Sequence, residues 1–325
     1  MSGRPARSGP PEGGPTPAIA SDRRRVSSWF ETGFGARLYP YLLVLPAFII
    51  VVGVVIYPVL SGIWYAFHDV TLRTLNRGTI SFVGLRNFER AFADPVFAQA
   101  AWNTVAWVVL NVVAQLSLGL SLALLLNRPR RGIGAFRAGI LIPWVIPSVV
   151  AVLTWRWMYE PTVGIANELL LRVGLIAEYR PWLGDTATAL LAVTVESVWK
   201  GTPFVMLLLL AALQMVPRSV IEAAEMDGAS GWRKLWHVIL PQIRVAFAIA
   251  AVLTFILTVN NFNAIWLMTE GGPLHSSEIL FTLAYRYGFQ RFDLGLASAI
   301  ATLLFVGLVI ATTLYLFLIH EREKD

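Results

Sequence analysis

Polar side chains recur at helical spacing in one strongly apolar segment of the sequence. Thr254, Thr258 and Asn261 are separated by four and three residues, which predicts one shared helical face. Asn260 and Asn263 are expected on other faces of the same helix. Hydroxyl and amide groups in an apolar helix can bind a polar solute, but they also hydrogen-bond between neighbouring membrane helices. Periodicity alone leaves both interpretations open.

A second apolar segment combines charges with residues that disfavour a helix. Glu196 and Lys200 are four residues apart and are predicted to form an intrahelical ion pair, in preference to contacting a solute directly. The run Trp199-Lys-Gly-Thr-Pro203 contains a glycine and a proline, so we expect the helix to be interrupted there. Interrupted membrane helices expose backbone carbonyls and are typical of transport sites.

Patterns that indicate catalysis or metal binding are missing from the sequence. It has no cysteine, its four histidines have no metal-ligand spacing, and no Gly-x-Ser-x-Gly turn occurs. No lysine follows a glycine, which excludes the phosphate loop of ATP-binding proteins. We therefore predict that the chain is not an enzyme, has no catalytic or metal-binding residue, and binds no cofactor itself.

Membrane helices are the elements that must position the polar residues. Hydrophobic residues make up 56% of the 325-residue chain and charged residues only 14%, which argues against a water-soluble core. Apolar runs of about 20 residues, long enough to cross a bilayer, occur repeatedly. The predicted spans are Leu42–Tyr65, Thr104–Leu126, Ala138–Met158, Thr188–Leu213, Ile243–Met268 and Leu294–Phe317.

The ends and loops of the chain predict its orientation. Residues 1–36 are rich in Gly, Pro, Ser and Arg and are predicted to be a disordered cytoplasmic tail, followed by a membrane domain over residues 37–325. Lys and Arg are concentrated in the segments that share a side of the membrane with the N-terminus. Because cytoplasmic loops carry this excess, both termini are predicted to be cytoplasmic, and the net charge of +6 follows from topology rather than from nucleic-acid binding.

The loop over residues 217–241 has the pattern of two short helices joined by a bend. Ser219 and Glu222 are spaced as a capping box for the first helix, and Gly228 provides the left-handed residue that ends it. Ser230 is a capping residue for the second helix, which is predicted to stop at the proline that closes the loop. Without further information this is an amphipathic hairpin at the membrane surface.

Five sequence motifs together resemble one protein family. Glu222-Ala-Ala-x-x-Asp-Gly-Ala229 followed by Ile239-x-Pro241 resembles the EAA loop of importer permeases in the ATP-binding-cassette (ABC) superfamily. Four further motifs are similar to the carbohydrate-uptake branch, in particular to the larger permease subunit of maltose, trehalose and glycerol-phosphate systems. They are Phe82-Val-Gly-Leu-Arg-Asn-Phe88, Ile142-Pro-x-x-Ile-Pro-Ser148, Trp199-Lys-Gly-Thr-Pro-Phe204 and Thr269-x-Gly-Gly-Pro273.

This resemblance implies a fold, a location and a set of partners. The expected fold is an all-α membrane protein with six transmembrane helices, the type I ABC importer (MetI-like) permease fold. The expected location is the cell (inner) membrane of a bacterium or archaeon. The implied partners are a second permease subunit, two copies of a cytoplasmic ATP-binding subunit that hydrolyses ATP, and an extracytoplasmic solute-binding protein.

The resemblance also assigns roles to individual residues. The coupling contact with the ATPase is implied for Glu222, Ala223, Ala224, Asp227 and Gly228. For Glu222 the alternative is that it serves only the capping box. Substrate contacts are implied for Ser148, Ser197, Trp199, Gly201 and Phe204, together with the face formed by Thr254, Thr258 and Asn261.

The predicted function is import of a sugar or oligosaccharide, with two alternatives. One is an ABC importer for another solute, such as glycerol 3-phosphate. The other is a secondary transporter or channel driven by an ion gradient. The second alternative predicts acidic residues deep in several spans, whereas only Glu196 is so placed, and it leaves the EAA loop unexplained.

Overall fold

The computed structural model describes residues 34–128 and 131–321, and the regular structure in these residues is helical. The helices are α1 (Phe34–Ile50), α2 (Tyr57–Ala66), α3 (Leu72–Arg77), α4 (Arg86–Ala93), α5 (Pro95–Leu126), α6 (Ile133–Val145), α7 (Ser148–Met158), α8 (Ile165–Arg172), α9 (Ala189–Met215), α10 (Arg218–Met226), α11 (Gly231–Lys234), α12 (Leu240–Gln242), α13 (Arg244–Val259), α14 (Phe262–Thr269), α15 (Leu280–Tyr285) and α16 (Leu294–Glu321). Three π-helical segments accompany them, Val51–Ile56, Leu235–Ile239 and Arg286–Gln290.

The chain divides into two compact units, Met1–Ser61 and Gly62–Asp325. The described part of the first unit is a continuous helical stretch, in which α1 contains prolines at positions 40 and 46. The predicted disordered tail over residues 1–36 lies almost entirely outside the described residues. α1 begins at Phe34, slightly before the predicted end of that tail.

Five helical stretches in the described residues are long and apolar enough to cross a membrane. They are Tyr39–Ala66, Pro95–Leu126, Ala189–Met215, Arg244–Thr269 and Leu294–Tyr315. Each overlaps a predicted span, which confirms five of the six. Pro95–Leu126 extends well beyond the predicted start at Thr104, since Asp94 caps α5 and Pro95 occupies its first turn.

The remaining predicted span, Ala138–Met158, is not a straight helix. α6 and α7 meet at an angle of 92°, so the chain reaches six spans only if this bent pair is counted as one. Ile146, the last residue before Pro147, has φ −59° and ψ 133° and is therefore not helical. A residue before proline avoids the helical region because the proline ring collides with its backbone, which explains the bend.

Close packing of α5 against α9 forms the centre of the second unit. Val205, Met206 and Leu209 of α9 are fully buried. A Cβ atom added at Gly119 of α5 would lie 2.6 Å from Cγ1 of Val205, so only glycine permits the observed helix separation. This packing fixes α9, and with it the residues that α9 presents to the candidate site.

The loop between α14 and α15, residues 270–279, is fastened to α5 by hydrogen bonds. The Asn103 amide donates to the carbonyls of His275 (3.1 Å) and Glu278 (2.9 Å). The fully buried carboxylate of Glu278 accepts from His275 Nδ1 (2.6 Å) and from Arg286 Nε (3.3 Å). We call this set of residues the Glu278 cluster.

Candidate functional site

A polar cavity of about 320 Å³ lies among α5, α6, α7, α9, α13 and α14. Its lining residues are Gln115, Trp144, Ser148, Val152, Glu196, Ser197, Lys200, Gly201, Phe204, Thr254, Leu257, Thr258, Asn260, Asn261 and Asn263. The cavity is within the size range of small-ligand sites, roughly 300 to 1,000 Å³. It contains every residue predicted to contact substrate except Trp199.

α9 presents one face to the cavity. Ser197, Gly201 and Phe204 follow at intervals of four and three residues, so a continuous helix brings all three to the same side. The predicted interruption at Trp199–Pro203 is wrong, because α9 continues through Pro203 to Met215. A proline can remain within a membrane helix when neighbouring helices pack around it, and Pro203 itself is buried.

Gly201 leaves room for the Gln115 side chain of α5. A Cβ atom added at Gly201 would lie 2.2 Å from Oε1 of Gln115. The Gln115 amide in turn donates to Asn111 Oδ1 at 3.1 Å and lies 3.4 Å from the Ser197 carbonyl oxygen. Glycine therefore allows the Gln115 side chain to reach both the cavity and the backbone of α9.

Lys200 supports the bend between α6 and α7. Its Nζ donates to the carbonyl of Ile146 at 2.5 Å and to that of Pro143 at 3.3 Å. Pro147 has no N–H for the Pro143 carbonyl, so the ammonium replaces the missing helical donor. A cation at the C-terminal end of a helix also interacts favourably with the helix dipole. Lys200 thus holds in place the bend that brings Ser148 to the cavity.

The predicted ion pair between Glu196 and Lys200 is not formed. Within the described residues no ion pair joins them, and both carboxylate oxygens of Glu196 are buried without a hydrogen-bond partner. The two carbonyls at the bend occupy the Lys200 ammonium instead. Helical spacing correctly places both residues on the cavity side of α9, but sequence spacing contains no information about the competing carbonyls on another helix.

The predicted polar face of Thr254, Thr258 and Asn261 reaches the cavity through a broken helix. α13 ends at Val259 and α14 begins at Phe262, so Asn261 lies between them and caps α14 by accepting from the Ala264 N–H (3.4 Å). Its amide nitrogen lies 3.3 Å from the Ser197 hydroxyl. The assumption of one continuous helix is therefore wrong.

The same break explains why two further asparagines were misplaced. Asn260 and Asn263 line the cavity with Asn261, although helical spacing had assigned them to other faces. The non-helical residues Asn260 and Asn261 interrupt the helical repeat, so the positions of the side chains around the break no longer follow helical spacing. Asn260 itself donates to the Ile256 carbonyl at 2.8 Å.

Trp199 does not line the polar cavity. Its ring packs edge-on against Trp155, with centroids 5.6 Å apart, in a separate apolar groove that also includes Pro143 and Val198. Because α9 is continuous, Trp199 points away from the face shared by Ser197 and Gly201. The structure therefore places Trp199 outside the polar cavity, and its implied contact with substrate stays a prediction.

Trp144, rather than Trp199, brings an aromatic ring to the polar cavity. Its ring stacks on Phe204, with centroids 5.9 Å apart and planes inclined by 23°, and both residues line the cavity. The signal that could have identified it is its position between Pro143 and Pro147, where the bend turns residues from a helix end toward the cavity.

The hairpin over residues 217–241 has the expected bend but a different beginning. α10 starts at Arg218 with Pro217 at the N-cap, and no side chain caps it, so the predicted capping box of Ser219 and Glu222 is wrong. Pro217 has extended backbone angles (φ −60°, ψ 134°) and therefore stands just outside the helix, and α10 begins directly after it at Arg218, one residue before Ser219. Glu222 is exposed and has no capping role.

The second helix of the hairpin begins where the sequence predicts and ends later than predicted. Gly228 has φ +74°, and the Ser230 hydroxyl accepts from the Arg233 N–H at 3.4 Å, as predicted. The helix does not stop at Pro241, because a π-helical segment precedes the proline and the chain remains helical to Gln242. The wider turn of a π-helix makes room for a proline ring that would collide in an α-helix.

The remaining loop residues of the predicted coupling contact differ in exposure. Ala223 and Asp227 are exposed, whereas Ala224 is buried and its carbonyl accepts from the Ala229 N–H at 2.9 Å. An ion pair between Lys234 and Glu225 joins the two halves of the hairpin. The hairpin therefore presents a small, acidic surface, and the ion pair between its two halves holds that surface in place.

Comparison with known proteins identifies the family. The family described as the inner membrane component of binding-protein-dependent transport systems matches residues 115–324, which include the polar cavity and the hairpin. The chain belongs to this permease family. Members of the family are permeases rather than enzymes, and the permease described here is a multi-pass inner-membrane protein.

Two curated relatives match this permease over most of their length. The trehalose/maltose transport system permease protein MalF of Thermococcus litoralis is 36% identical over 85% of this chain and 92% of its own. The sulfoquinovosyl glycerol transport system permease protein SmoG of Agrobacterium fabrum is 31% identical over 94% of this chain and 98% of its own.

A solved structure supports the permease fold. A chain of a bacterial ABC transporter involved in the import of the acidic polysaccharide alginate aligns with a TM-score of 0.74. The alignment covers 92% of this permease and 99% of that chain, at 22% sequence identity. The similarity confirms the predicted all-α, MetI-like membrane fold.

Proposed function

We propose that this permease forms the translocation path of an ATP-driven, binding-protein-dependent importer for a sugar or oligosaccharide. The observation that carries the proposal is the composition of the polar cavity, which combines the stacked rings of Trp144 and Phe204 with hydroxyl and amide groups. The names of the two relatives, a trehalose/maltose and a sulfoquinovosyl glycerol transport system permease, support the same solute class.

The cavity suits both kinds of surface on a sugar. The apolar C–H face of a pyranose ring packs on aromatic rings such as those of Trp144 and Phe204, while its hydroxyls require donors and acceptors. Ser148, Ser197 and Asn263 supply such groups on three separate elements. Substrate contact is proposed for the cavity residues Ser148, Ser197, Gly201, Phe204, Thr254, Thr258 and Asn261, and Trp144 replaces Trp199 in this set.

The proposed assembly contains a second permease, two copies of a cytoplasmic ATP-binding subunit that hydrolyses ATP, and an extracytoplasmic solute-binding protein. The proposed orientation places both termini in the cytoplasm, because Lys and Arg are concentrated in the segments on that side. The hairpin over residues 217–241 then faces the ATPase.

The hairpin is proposed to couple ATP hydrolysis to movement of the membrane helices. Its exposed residues Glu222, Ala223 and Asp227 form a small acidic surface that suits a cleft with basic residues on the ATPase. Ala224 and Gly228 support this surface. Ala224 is buried and lets the two helices pack, and Gly228 lets the chain turn between them. Since Glu222 does not cap α10, capping does not account for its position.

Uptake of labelled sugars tests the solute class. Cells lacking the gene and cells carrying it are given labelled trehalose, maltose or glycerol 3-phosphate, and uptake is measured with and without depletion of ATP. We expect ATP-dependent uptake of a sugar, which Phe204→Ala lowers at constant amounts of folded complex and Arg77→Ala on an exposed helix leaves unchanged. Uptake that persists without ATP and follows an ion gradient supports a secondary transporter instead. Uptake of glycerol 3-phosphate alone supports the other solute class.

A separate experiment tests the coupling hairpin. Glu222→Lys reverses a charge on the proposed docking surface, and Gly228→Pro removes the left-handed conformation at the bend. We expect either change to preserve membrane insertion while reducing co-purification of the ATPase or the transport per ATP hydrolysed. The control is Glu168→Lys on α8, outside the hairpin. Wild-type coupling in both hairpin variants would show that the hairpin is only a surface feature.

A further inference from the structure

Glu196 is a buried acid of the polar cavity that has no partner. Its side chain is fully buried, and neither carboxylate oxygen has a hydrogen-bond partner in the part of the chain that the structure describes. Lys200, the cation on the same face of α9, donates to the carbonyls of Pro143 and Ile146. A buried polar group without a partner is destabilising and rare, so a group that remains unpaired requires an explanation.

Thr254 provides a second unpaired group in the same cavity. Its hydroxyl is buried and has no hydrogen-bond partner. Most of the other buried threonines behave differently, since Thr194 and Thr202 each donate to a carbonyl one helical turn earlier at 2.7 Å and 2.6 Å. Two separate helices, α9 and α13, therefore each bring an unpaired polar group to one cavity.

The chemistry of these groups defines what can satisfy them. A carboxylate accepts hydrogen bonds at both oxygens, so it can bind two hydroxyls on neighbouring carbon atoms, and a threonine hydroxyl can add a further contact. An anionic group on a solute would be repelled by Glu196. Lys200, the single cation among the residues that line the cavity, is already engaged at the bend.

We propose that Glu196 is a specificity-determining residue that binds two adjacent hydroxyls of a neutral solute, with Thr254 as an auxiliary contact. This inference rests on the proposed function, because the solute is the one that the importer carries. The carboxylate is enclosed in the present conformation, so contact forms when its side chain turns toward a solute in the cavity. Charge–hydroxyl hydrogen bonds are stronger than neutral ones, which makes Glu196 the main contributor to this subsite.

The test compares a sugar with its deoxy analogues. The complete importer, with both permeases, the ATPase and the binding protein, is reconstituted in proteoliposomes and supplied with labelled trehalose or maltose and with each monodeoxy analogue. Wild type, Glu196→Gln, Glu196→Leu and Thr254→Val are measured with the same binding protein, so its own selectivity cancels in the comparison. Thr312→Val, which removes an unpaired hydroxyl outside this cavity, is the matched control.

We expect wild type to import the sugar at least about tenfold faster than the analogues that lack one of the two bound hydroxyls, as a charged hydrogen bond predicts. In Glu196→Leu the ratio of the import rates of sugar and analogue should fall to about one, and only for those analogues. The leucine has no acceptor for the hydroxyl, so its removal from the sugar no longer matters. Glu196→Gln keeps the size and one acceptor of the side chain and should give an intermediate ratio. Thr254→Val should change the ratio less, and Thr312→Val should leave it at the wild-type value.

A merely structural role of Glu196 predicts a different result. Glu196→Leu would then alter the yield or thermal stability of the complex and leave every sugar-to-analogue ratio unchanged, which overturns the proposal. Faster import of glucosamine than of glucose-based sugars by wild type, with loss of that preference in Glu196→Gln, also overturns it in favour of a cationic solute. If wild type imports none of these sugars, the sugar function itself fails, and the diol subsite fails with it.

Discussion

Two glutamates of this permease are fully buried and have opposite surroundings. Glu278, in the loop that precedes α15, accepts hydrogen bonds from His275 and Arg286, whose Nη2 lies 3.2 Å from its carboxylate. Glu196, on α9, has no partner for either oxygen. Both residues lie in the unit Gly62–Asp325. That unit supplies hydrogen-bond partners to the carboxylate of Glu278 and none to the carboxylate of Glu196.

The difference separates an acid that supports the structure from one that is available to a ligand. Buried charges in proteins are usually paired, because removing a carboxylate from water is costly unless other groups replace the water. The Glu278 cluster meets that requirement within the protein. At Glu196 the protein supplies no such group, and in the proposal above a solute in the polar cavity provides the hydrogen bonds.

The comparison predicts that loss of Glu278 has the largest effect on folding. Glu278→Ala leaves Arg286 without its buried carboxylate and should lower stability by about 3 to 5 kcal/mol. Thermal unfolding of the detergent-purified complex measures this change. Glu168→Ala, which removes a partly exposed pair with Arg172 and a hydrogen bond from Tyr179, is the control and should lower stability much less than Glu278→Ala does. Equal stability of the two variants would contradict a structural role for Glu278.

Loss of Lys200 should have the next largest effect. Lys200→Met replaces the lysine by an apolar side chain of similar length, which leaves the carbonyls of Pro143 and Ile146 without their donor. We expect the free energy of unfolding to fall by about 2 kcal/mol. Pro147→Ala supplies a backbone N–H near the same carbonyls, so the double variant should lose less than the sum of both changes. Strict additivity in this thermal-unfolding cycle would show that Lys200 does not stabilise the bend.

Loss of Glu196 should change stability less and in the opposite direction. Glu196→Leu removes an unpaired buried carboxylate and should raise stability by roughly 1 kcal/mol, since apolar groups often replace buried charges favourably. The same thermal-unfolding assay is used, with Glu278→Leu as the matched variant in the paired site. Destabilisation by Glu196→Leu comparable to that of Glu278→Leu would remove the distinction between the two acids.

The smallest effect is expected at Tyr287, which pairs with Asp94. Burial, and then a hydrogen bond to Asp94, raise the pKa of Tyr287 to about 12. Because the pKa of an unfolded tyrosine is about 10, Tyr287 favours the folded state below pH 10, and this contribution is lost as the pH rises toward 12. Tyr287→Phe should cost about 0.5 kcal/mol at neutral pH, since the site is partly exposed.

The check for Tyr287 is the dependence of unfolding on pH. Stability of wild type should decline more steeply than that of Tyr287→Phe between pH 10 and 12, in thermal unfolding at fixed salt. Parallel curves for the two proteins would mean that the phenol is not held in its neutral form by the fold.

Hydropathy and short-range spacing were sufficient to predict most of the architecture. Five spans, the left-handed Gly228 and the Ser230 cap depend on runs of apolar residues or on contacts within a few residues, and all of these are visible in the sequence. The motifs that indicated the permease family are of the same local kind. The cytoplasmic location of both termini and the disordered tail over residues 1–36 stay predictions.

The geometry of the site depended on contacts between distant segments. The 92° bend before Ser148, the break at Asn260 and the continuity of α9 through Pro203 each follow from how neighbouring helices satisfy or exclude backbone groups. Local sequence rules identify a proline or an asparagine as a helix breaker, but they do not say which one the surrounding helices will accommodate.

The roles of individual side chains also depend on contacts between segments that are distant in sequence. Sequence by itself determined that Trp199, Glu196 and Lys200 lie close together on one membrane helix. Only the tertiary structure decided that Trp199 faces an apolar groove, that carbonyls of another helix occupy Lys200, and that Glu196 is left unpaired. The physical reason is that a side chain binds the partner that packing brings within hydrogen-bond distance, and that partner can lie more than fifty residues away in sequence, as Ile146 does from Lys200.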